Sequence, residues 1–378
     1  MKHLLLLFIF CPILLFSQDL TNATNLDITK SWEQEPQGWT YSVSVHVPEV
    51  SAPVDGFPIC ILLHGNGGNG SAFLSNFKDN IPCHILVAPD GYENSWNICG
   101  EDSDAPDMEM IEELITAVET YDNVNSSMIR IIGFSNGAAL TNRIFVENNH
   151  QGIDKFCAIV SQFTDMQLHN QSFYGPSSVT EAGLPFCGYD TEFIPETGRH
   201  YLNICNTNDP IIPYDGGPAV GAIFVPAKVS IYEVAKSQGY TGSIISGDGA
   251  EINSSGVFEY NYLSGQVVHL RGDAQHGLNQ TQTQFVSDFM EFDCSSSGLI
   301  TEAYENIKIE TNPGLSGVRL IVKNENTTEY TTILTELNGK TIYEGIISET
   351  TFIPAIPGQY ILKVLGENIR LQETIIIL

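Results

Sequence analysis

The run Met128-Ile129-Arg130-Ile131-Ile132 leads directly into Gly133-Phe134-Ser135-Asn136-Gly137, and Ala138-Ala139-Leu140 follows. No other stretch restricts the fold so strongly. Clustered isoleucines favour a buried extended strand, and the alanines and leucine beyond the second glycine favour a helix. A strand that turns into a helix within five residues leaves the corner residue, Ser135, in a strained backbone conformation with its hydroxyl exposed. Glycine at Gly133 and Gly137 removes the Cβ atoms that would collide where strand and helix pass. The Asn136 amide, at the start of the helix, can then donate to a negatively charged oxygen. Such a serine becomes a nucleophile only with a base, an orienting carboxylate and a second amide donor.

Each of these partners has a candidate. The apolar run Phe57–Leu63 ends in His64-Gly65-Asn66-Gly67-Gly68-Asn69-Gly70. A His-Gly pair after an early strand suits the second oxyanion amide, assigned to Asn66. A phosphate-binding loop would require Gly-Lys-Ser/Thr, which is absent. Asp209 follows the strand-like His200–Cys205 within Asn206-Thr207-Asn208-Asp209-Pro210. That is the carboxyl end of a parallel strand, where catalytic groups gather; an Asx turn before proline is the plain alternative. Asp190 and Asp215 are rivals that do not directly follow so clear a strand. His276, in Gly272-Asp273-Ala274-Gln275-His276-Gly277, lies between the strand Gln266–Arg271 and the final helix of the region. An isolated histidine is more often structural, but the order Ser135, Asp209, His276 makes it the expected base. His269 competes, from inside the strand.

The remaining pattern fits a doubly wound, mostly parallel α/β sheet. Phe57–Leu63, His84–Ala88, Phe156–Val160 and His200–Cys205 read as buried strands, and Tyr41–Val47 alternates. Asp107–Tyr121 is the clearest helix, with Met108, Ile111, Leu114, Ile115 and Val118 on one face. Val225–Ser237 and Thr281–Phe292 predict two more. Between Gln162 and Gly198 the pattern weakens, as in an insertion over a site. Residues 18–294 are expected to form this domain, followed by a linker at 295–303. A small all-β domain is expected over 304–378, with strands at Val318–Lys323, Tyr330–Leu337, Lys340–Ile347, Gly358–Val364 and Arg370–Leu378. Asn338-Gly339 signals a hairpin. The module has no histidine, cysteine or aspartate and offers no chemistry of its own.

Composition excludes several partners. The formal net charge is −29, and residues 19–294 hold 35 acidic against 9 basic residues. Such a surface repels nucleic acid and disfavours polyanionic substrates. Lys2 and His3 precede the apolar run Leu4–Phe16, which reads as a signal peptide over 1–17, cleaved after Ser17. Export follows, with no stable membrane insertion, since no later apolar run is long enough to span a bilayer. Cys60, Cys157 and Cys205 lie in strand-like runs and read as buried free thiols. Cys83, Cys99, Cys187 and Cys294 are candidates for one or two disulfides whose pairing spacing does not decide. No Cys/His spacing suits zinc, an acidic chain could bind calcium although no Asp-x-Asp-x-Asp-Gly loop assigns a site, and a serine nucleophile requires no metal or organic cofactor.

Taken together, Leu62-Leu63-His64-Gly65-Asn66-Gly67-Gly68, Ala88-Pro89-Asp90-Gly91, Ser95-Trp96-Asn97, Gly133–Gly137 and Asp209 with Pro213-Tyr214-Asp215-Gly216-Gly217 carry a resemblance. Over roughly residues 40–293 the chain resembles the feruloyl and acetylxylan esterases of carbohydrate esterase family one, and their polyhydroxybutyrate depolymerase-like relatives. The resemblance implies an α/β-hydrolase fold and a serine esterase acting on an ester-bearing polysaccharide or oligosaccharide. It also implies that Trp96 and Asn97 line the acyl or sugar pocket; ordinary packing is the alternative for Trp96. A polyester hydrolase, or a noncatalytic binding protein on the same fold, are the competing readings. Cys205-Asn206 replaces the His-Gly often found there, and Leu278 stands where such proteins tend to have tryptophan. The C-terminal part resembles the sorting domain of type IX secretion cargo through Asn312-Pro313, Leu337-Asn338-Gly339-Lys340 and Pro357–Val364. That implies handling by the secretion machinery of a bacterial outer membrane.

Overall fold

Seven consecutive buried residues, Phe57–Leu63, form a strand at the heart of a nine-stranded sheet. A strand covered on both faces has no polar side to show, which is why it reads as an unbroken apolar run. The computed structural model describes residues 18–53, 55–177, 180 and 183–294. Of the C-terminal part it describes 307–310, 317–322, 330–336, 340–347, 351–355, 358–365 and 370–377. The leader, the linker, Asn312-Pro313 and the turn at Asn338-Gly339 fall outside the described residues. The chain divides into two compact units between Phe292 and Asp293.

In the first unit the sheet runs, from one edge, Ala250–Glu251, Phe258–Tyr262, Val267–Gly272, His200–Asn206, Ile153–Ile159, Val124–Phe134, Phe57–Leu63, Ile85–Pro89 and Val43–His46. The six strands from Val267–Gly272 to Ile85–Pro89 are mutually parallel. The strands beyond them at either edge run antiparallel. This order and connectivity is that of the α/β-hydrolase fold. From Phe57–Leu63 the chain winds outward to Ile85–Pro89, then returns to Val124–Phe134 on the other side and winds the opposite way. That reversal opens a crevice at the carboxyl ends of those two strands. His64–Asn66 and Ser135 begin the loops that flank it.

Among the described residues five helices cover the sheet: α1 (Gly70–Phe77), α2 (Asp107–Val118), α3 (Asn136–Glu147), α4 (Ala227–Ser237) and α5 (Gln280–Phe289). Phe73, Leu74 and Phe77 of α1 and Val286 of α5 pack with Cys60, Leu62, Ile132, Ile204 and Leu270 in one apolar cluster. Each such side chain contributes roughly 1.5–3 kcal/mol through burial. Helix α3 packs on Val124–Phe134 and Ile153–Ile159. The sequence gives no sign of α1, whose eight residues follow a glycine-rich run; its N-cap is Asn69, whose side chain accepts from the Ala72 amide at 2.9 Å.

The weakly patterned stretch Gln162–Gly198 contains an antiparallel sheet of Leu168–His169, Ser172–Pro176 and Tyr189–Phe193. Cys187 is disulfide-bonded to Cys99, 88 residues away, and the Tyr189 hydroxyl donates to the Ile98 carbonyl at 2.9 Å. The insertion is thereby tied to the loop that follows Trp96. Cys60, Cys157 and Cys205 are buried free thiols.

In the second unit, Ile307–Glu310, Gly317–Val322 and Thr351–Pro354 form one antiparallel sheet. Thr341–Ile347, Tyr330–Glu336, Gly358–Leu365 and Arg370–Ile377 form a second. Leu334, Leu362 and Val364 of the second sheet and Ile353 of the first are fully buried. Among the described residues, no helix is long and apolar enough to cross a membrane.

Candidate active site

Ser135 sits at φ 54°, ψ −115°, between the end of its strand and the first turn of α3. A non-glycine residue held there stores on the order of 1–3 kcal/mol. The surroundings fix it: the Ser135 amide donates to the Ile159 carbonyl at 2.9 Å, and its carbonyl accepts from Ala138 and Ala139. A Cβ on Gly133 or Gly137 would lie closer than 3.0 Å to backbone oxygens, so both positions must be glycine.

The three residues expected from chain order meet at this corner. His276 Nε2 lies 2.8 Å from Ser135 Oγ, and His276 Nδ1 lies 2.8 Å from Asp209 Oδ2. An ionised Asp209 can only accept, so Nδ1 carries the proton and Nε2 is left to accept from the serine hydroxyl. The other Asp209 oxygen accepts from the amides of Ile211 and Ile212 at 2.8 and 3.0 Å. With its side chain 2% exposed, the carboxylate has one orientation and no water-facing alternative.

Asn66 and Asn136 also come together here. Their backbone amides have no acceptor among the described residues, and both residues line the same cavity as Ser135 and His276. The Asn66 amide is aimed by its neighbour. His64 Nδ1 donates to the Gly65 carbonyl at 2.8 Å, and the Gly68 amide donates to the same oxygen at 2.9 Å. In a planar trans peptide the C=O and the following N–H point in opposite directions, so fixing the Gly65 oxygen fixes the Asn66 N–H. His64 is buried, accepts from the Gly91 amide at 3.0 Å, and is kept neutral by that burial.

Asn206 supplies what the sequence shows only as a departure from the resembled family. Its side-chain amide donates to the Gln275 and Gly277 carbonyls, at 2.8 and 2.9 Å, on either side of His276. Its oxygen accepts from Gln282 Nε2 at 2.8 Å. Gln282 in turn closes a capping box with Asn279 at the start of α5. The base is thus braced to a helix end through one buried asparagine. Asn206→Ala is expected to lower kcat about 10–100-fold while KM changes less than threefold, because a loosened base misses proton transfer without affecting binding. Steady-state kinetics below the unfolding transition checks this; a rise in KM alone would assign Asn206 to substrate binding instead.

Trp96 and Asn97 are not where the resemblance implies. Trp96 is fully buried, with its indole N–H donated to the His64 carbonyl at 2.8 Å, and it does not border the cavity. A large ring fits the space beneath His64, and its polar edge finds a partner there. Asn97 also lies outside the lining: its side chain bonds Thr180 and the Ala105 carbonyl, and its amide donates to Asp107. Their neighbours Ser95, Ile98 and Glu101 face the cavity instead. The Asn136 side chain holds that loop in place, accepting from the Trp96 amide at 2.7 Å and donating to Glu101 at 3.3 Å. Glu101 was not anticipated, and no local pattern marks it.

His269 is a buried bystander. Its Nδ1 donates to Asn203 Oδ1 at 2.9 Å and its Nε2 accepts from the Tyr214 hydroxyl at 3.0 Å. Burial pushes its pKa down to about 3, and burial with the Arg130 charge does the same to His84. Below pH 6.5 the unfolded chain takes up protons that these folded sites refuse. Stability is therefore present above pH 6.5 and is lost as the pH falls towards 3, by about 2 kcal/mol per histidine at pH 5. Asp107, held up at about 7 by burial, works in the opposite sense over the same interval, as do Glu147, Asp154 and Asp165, whose carboxyls burial also raises, while His64 and His200 side with the histidines. Thermal melts at pH 7 and pH 5 check the histidine's share: relative to the parent, His269→Gln is expected to lose less, or gain more, melting temperature between pH 7 and pH 5.

No protein-family model matches the chain, and no curated protein matches it. Solved structures similar to it include a carboxylesterase from Bacillus cereus, 12% identical, covering 66% of this chain and 93% of that one with a TM-score of 0.41. An acetyl xylan esterase from Aspergillus awamori is 11% identical over 66% of this chain and 93% of its own, with a TM-score of 0.43. A phospholipase/carboxylesterase from Dyadobacter fermentans is 14% identical over 72% and 99%, with a TM-score of 0.36. At these identities and scores the likeness decides nothing about substrate, and the fold assignment rests on strand order and connection.

Proposed function

We propose that this chain is an exported serine carboxylic-ester hydrolase acting on acyl esters of plant polysaccharide, in the manner of feruloyl or acetylxylan esterases. The observation that carries the reaction type is the His276 ring, 2.8 Å from both the Ser135 hydroxyl and the Asp209 carboxylate at a strained elbow. Ser135 Oγ attacks the ester carbonyl while His276 Nε2 takes its proton. Asp209 holds the imidazole in the required tautomer and stabilises its charged form. The amides of Asn66 and Asn136 receive the oxyanion, each worth roughly 10²–10³ in rate. Collapse of the tetrahedral intermediate breaks the bond to the alcohol, which leaves with the proton from His276. Water, deprotonated by the same nitrogen, then releases the acid and restores Ser135.

Support for a sugar-bearing substrate comes from the motif set and from the cavity, about 590 Å³ in volume. Glu93, Glu101, Asp102 and Ser95 on its lining offer acceptors for hydroxyl groups, and among the described residues no lysine or arginine lines it. An acid with a second negative charge is disfavoured there. A polyester substrate is the second reading, favoured by the apolar wall of Ile211, Ile212, Val220 and Phe224. The leader and the C-terminal β module support export through a bacterial outer-membrane secretion system. A fluorophosphonate is expected to label Ser135 stoichiometrically, since only an activated serine reacts readily. Parallel assays on methyl ferulate, acetylated xylan and polyhydroxybutyrate then separate the substrates. Absence of labelling would leave a noncatalytic binding protein as the reading.

A further inference from the structure

Beside the catalytic cavity lies a second one, open and about 650 Å³ in volume. Cys99, Met166 and the tip Val220-Gly221-Ala222 border both. The tip belongs to a two-stranded ribbon of Gly217–Ala219 and Ala222–Phe224. Its base is pinned, because the Asp165 amide donates to the Ile223 carbonyl at 2.8 Å and the Val225 amide to the Phe163 carbonyl at 2.9 Å. At Gly221, with φ +80°, an added Cβ would meet nothing within 4 Å, so there is open space where the two cavities adjoin.

The second cavity is apolar. Leu184, Phe186, Pro218, Val220 and Ile223 form its walls, and among the described residues Asp165 is the only ionisable side chain on its lining. Ten large apolar side chains are exposed among the described residues, and five of them border these two cavities: Leu184, Phe186, Ile211, Val220 and Ile223. Such clustering in so acidic a molecule marks a binding surface. It is also rigid. Phe186 lies flat on His169, with centroids 4.0 Å apart and an interplanar angle of 6°. His169 lies flat on Tyr174, at 3.8 Å and 8°. The next residue, Cys187, is bonded to Cys99.

Resting on the esterase reading above, we infer that this groove is the subsite for a large apolar acyl group, so that the preferred esters carry a long alkyl or aryl acid rather than acetate. The acyl group, not the alcohol, is the occupant because the catalytic cavity already places Glu93, Glu101 and Asp102 as acceptors for a hydroxyl-bearing alcohol. Aliphatic walls would leave buried sugar hydroxyls without partners, whereas they gain from every methylene that leaves water.

The test uses p-nitrophenyl acetate, butyrate, hexanoate and octanoate below their aggregation limits, with ethyl and octyl acetate to lengthen the alcohol side instead. The expected result is a rise in kcat/KM of at least tenfold from acetate to octanoate. In Ile223→Asp and Leu184→Asp the octanoate-to-acetate ratio should fall at least fivefold. Ile223 and Leu184 are 52% and 44% exposed, so a carboxylate there leaves folding intact. Acetate turnover with no gain from acyl length, a gain on the alcohol side alone, or an unchanged ratio in both variants overturns the subsite. Absence of turnover on every ester, together with absence of fluorophosphonate labelling, overturns the esterase reading and the subsite with it.

Discussion

Ser135→Ala is expected to reduce kcat on p-nitrophenyl acetate by on the order of 10⁴–10⁶-fold, with the melting temperature within about 2 °C of the parent. Alanine keeps the Cβ, so the elbow at φ 54° is no more and no less strained than before. What disappears is the oxygen 2.8 Å from His276 Nε2, and with it the covalent route. The residue of activity should be that of Asn66 and Asn136 polarising the carbonyl for attack by water. That residue is worth roughly 10³ over the uncatalysed rate when the donors stay in place. Stopped and steady-state kinetics on the purified variant, with circular dichroism to show that the fold persists, make the check. Activity within tenfold of the parent in a folded Ser135→Ala protein would remove Ser135 from the chemistry and reopen the noncatalytic reading.

The parts of the site legible in the sequence are those whose signal is local. Phe57–Leu63 and the strand before Ser135 are readable because strands buried on both faces are apolar throughout. Asp209 and His276 are readable because each follows such a strand at its carboxyl end. Trp96 shows where local reading stops. Nothing in Ser95-Trp96-Asn97 tells which of three successive side chains faces the cavity, and the structure turns Ser95 and Ile98 towards it while burying Trp96. Asn206 shows the same limit from the other side. It stood out as a replacement of glycine, yet its work depends on carbonyls 69 and 71 residues away. The insertion sheet and the ribbon Gly217–Phe224 consist of strands of two to five residues, too short for any periodicity to register. Those elements shape the cavities, so substrate class was the least readable property of the chain.

Gly137→Ala is expected to destabilise the protein by about 3 kcal/mol or more, against the direction that helix propensity alone would give. Gly137 lies in the first turn of α3 without a positive φ, and there alanine normally gains up to about 1 kcal/mol over glycine. Here the added Cβ would lie closer than 3.0 Å to the Leu63 and His64 carbonyl oxygens. Both are backbone atoms of the central strand and the oxyanion loop, with no flexible side chain to swing aside, so the helix itself must move. Moving it displaces the Asn136 amide, and kcat should drop by at least 10² in whatever fraction folds. Gly277→Ala is the matched control, because it also adjoins the catalytic residues. Its Cβ would meet only the Ala274 carbonyl, at an ordinary 3.5 Å, and its φ is not positive. That variant should melt at or slightly above the parent temperature, through the lower entropy of its unfolded chain. Urea unfolding of the two proteins side by side decides the matter: equal stabilities would mean that α3 does not press on the strand as described, and that the second glycine of Gly-x-Ser-x-Gly serves the turn alone.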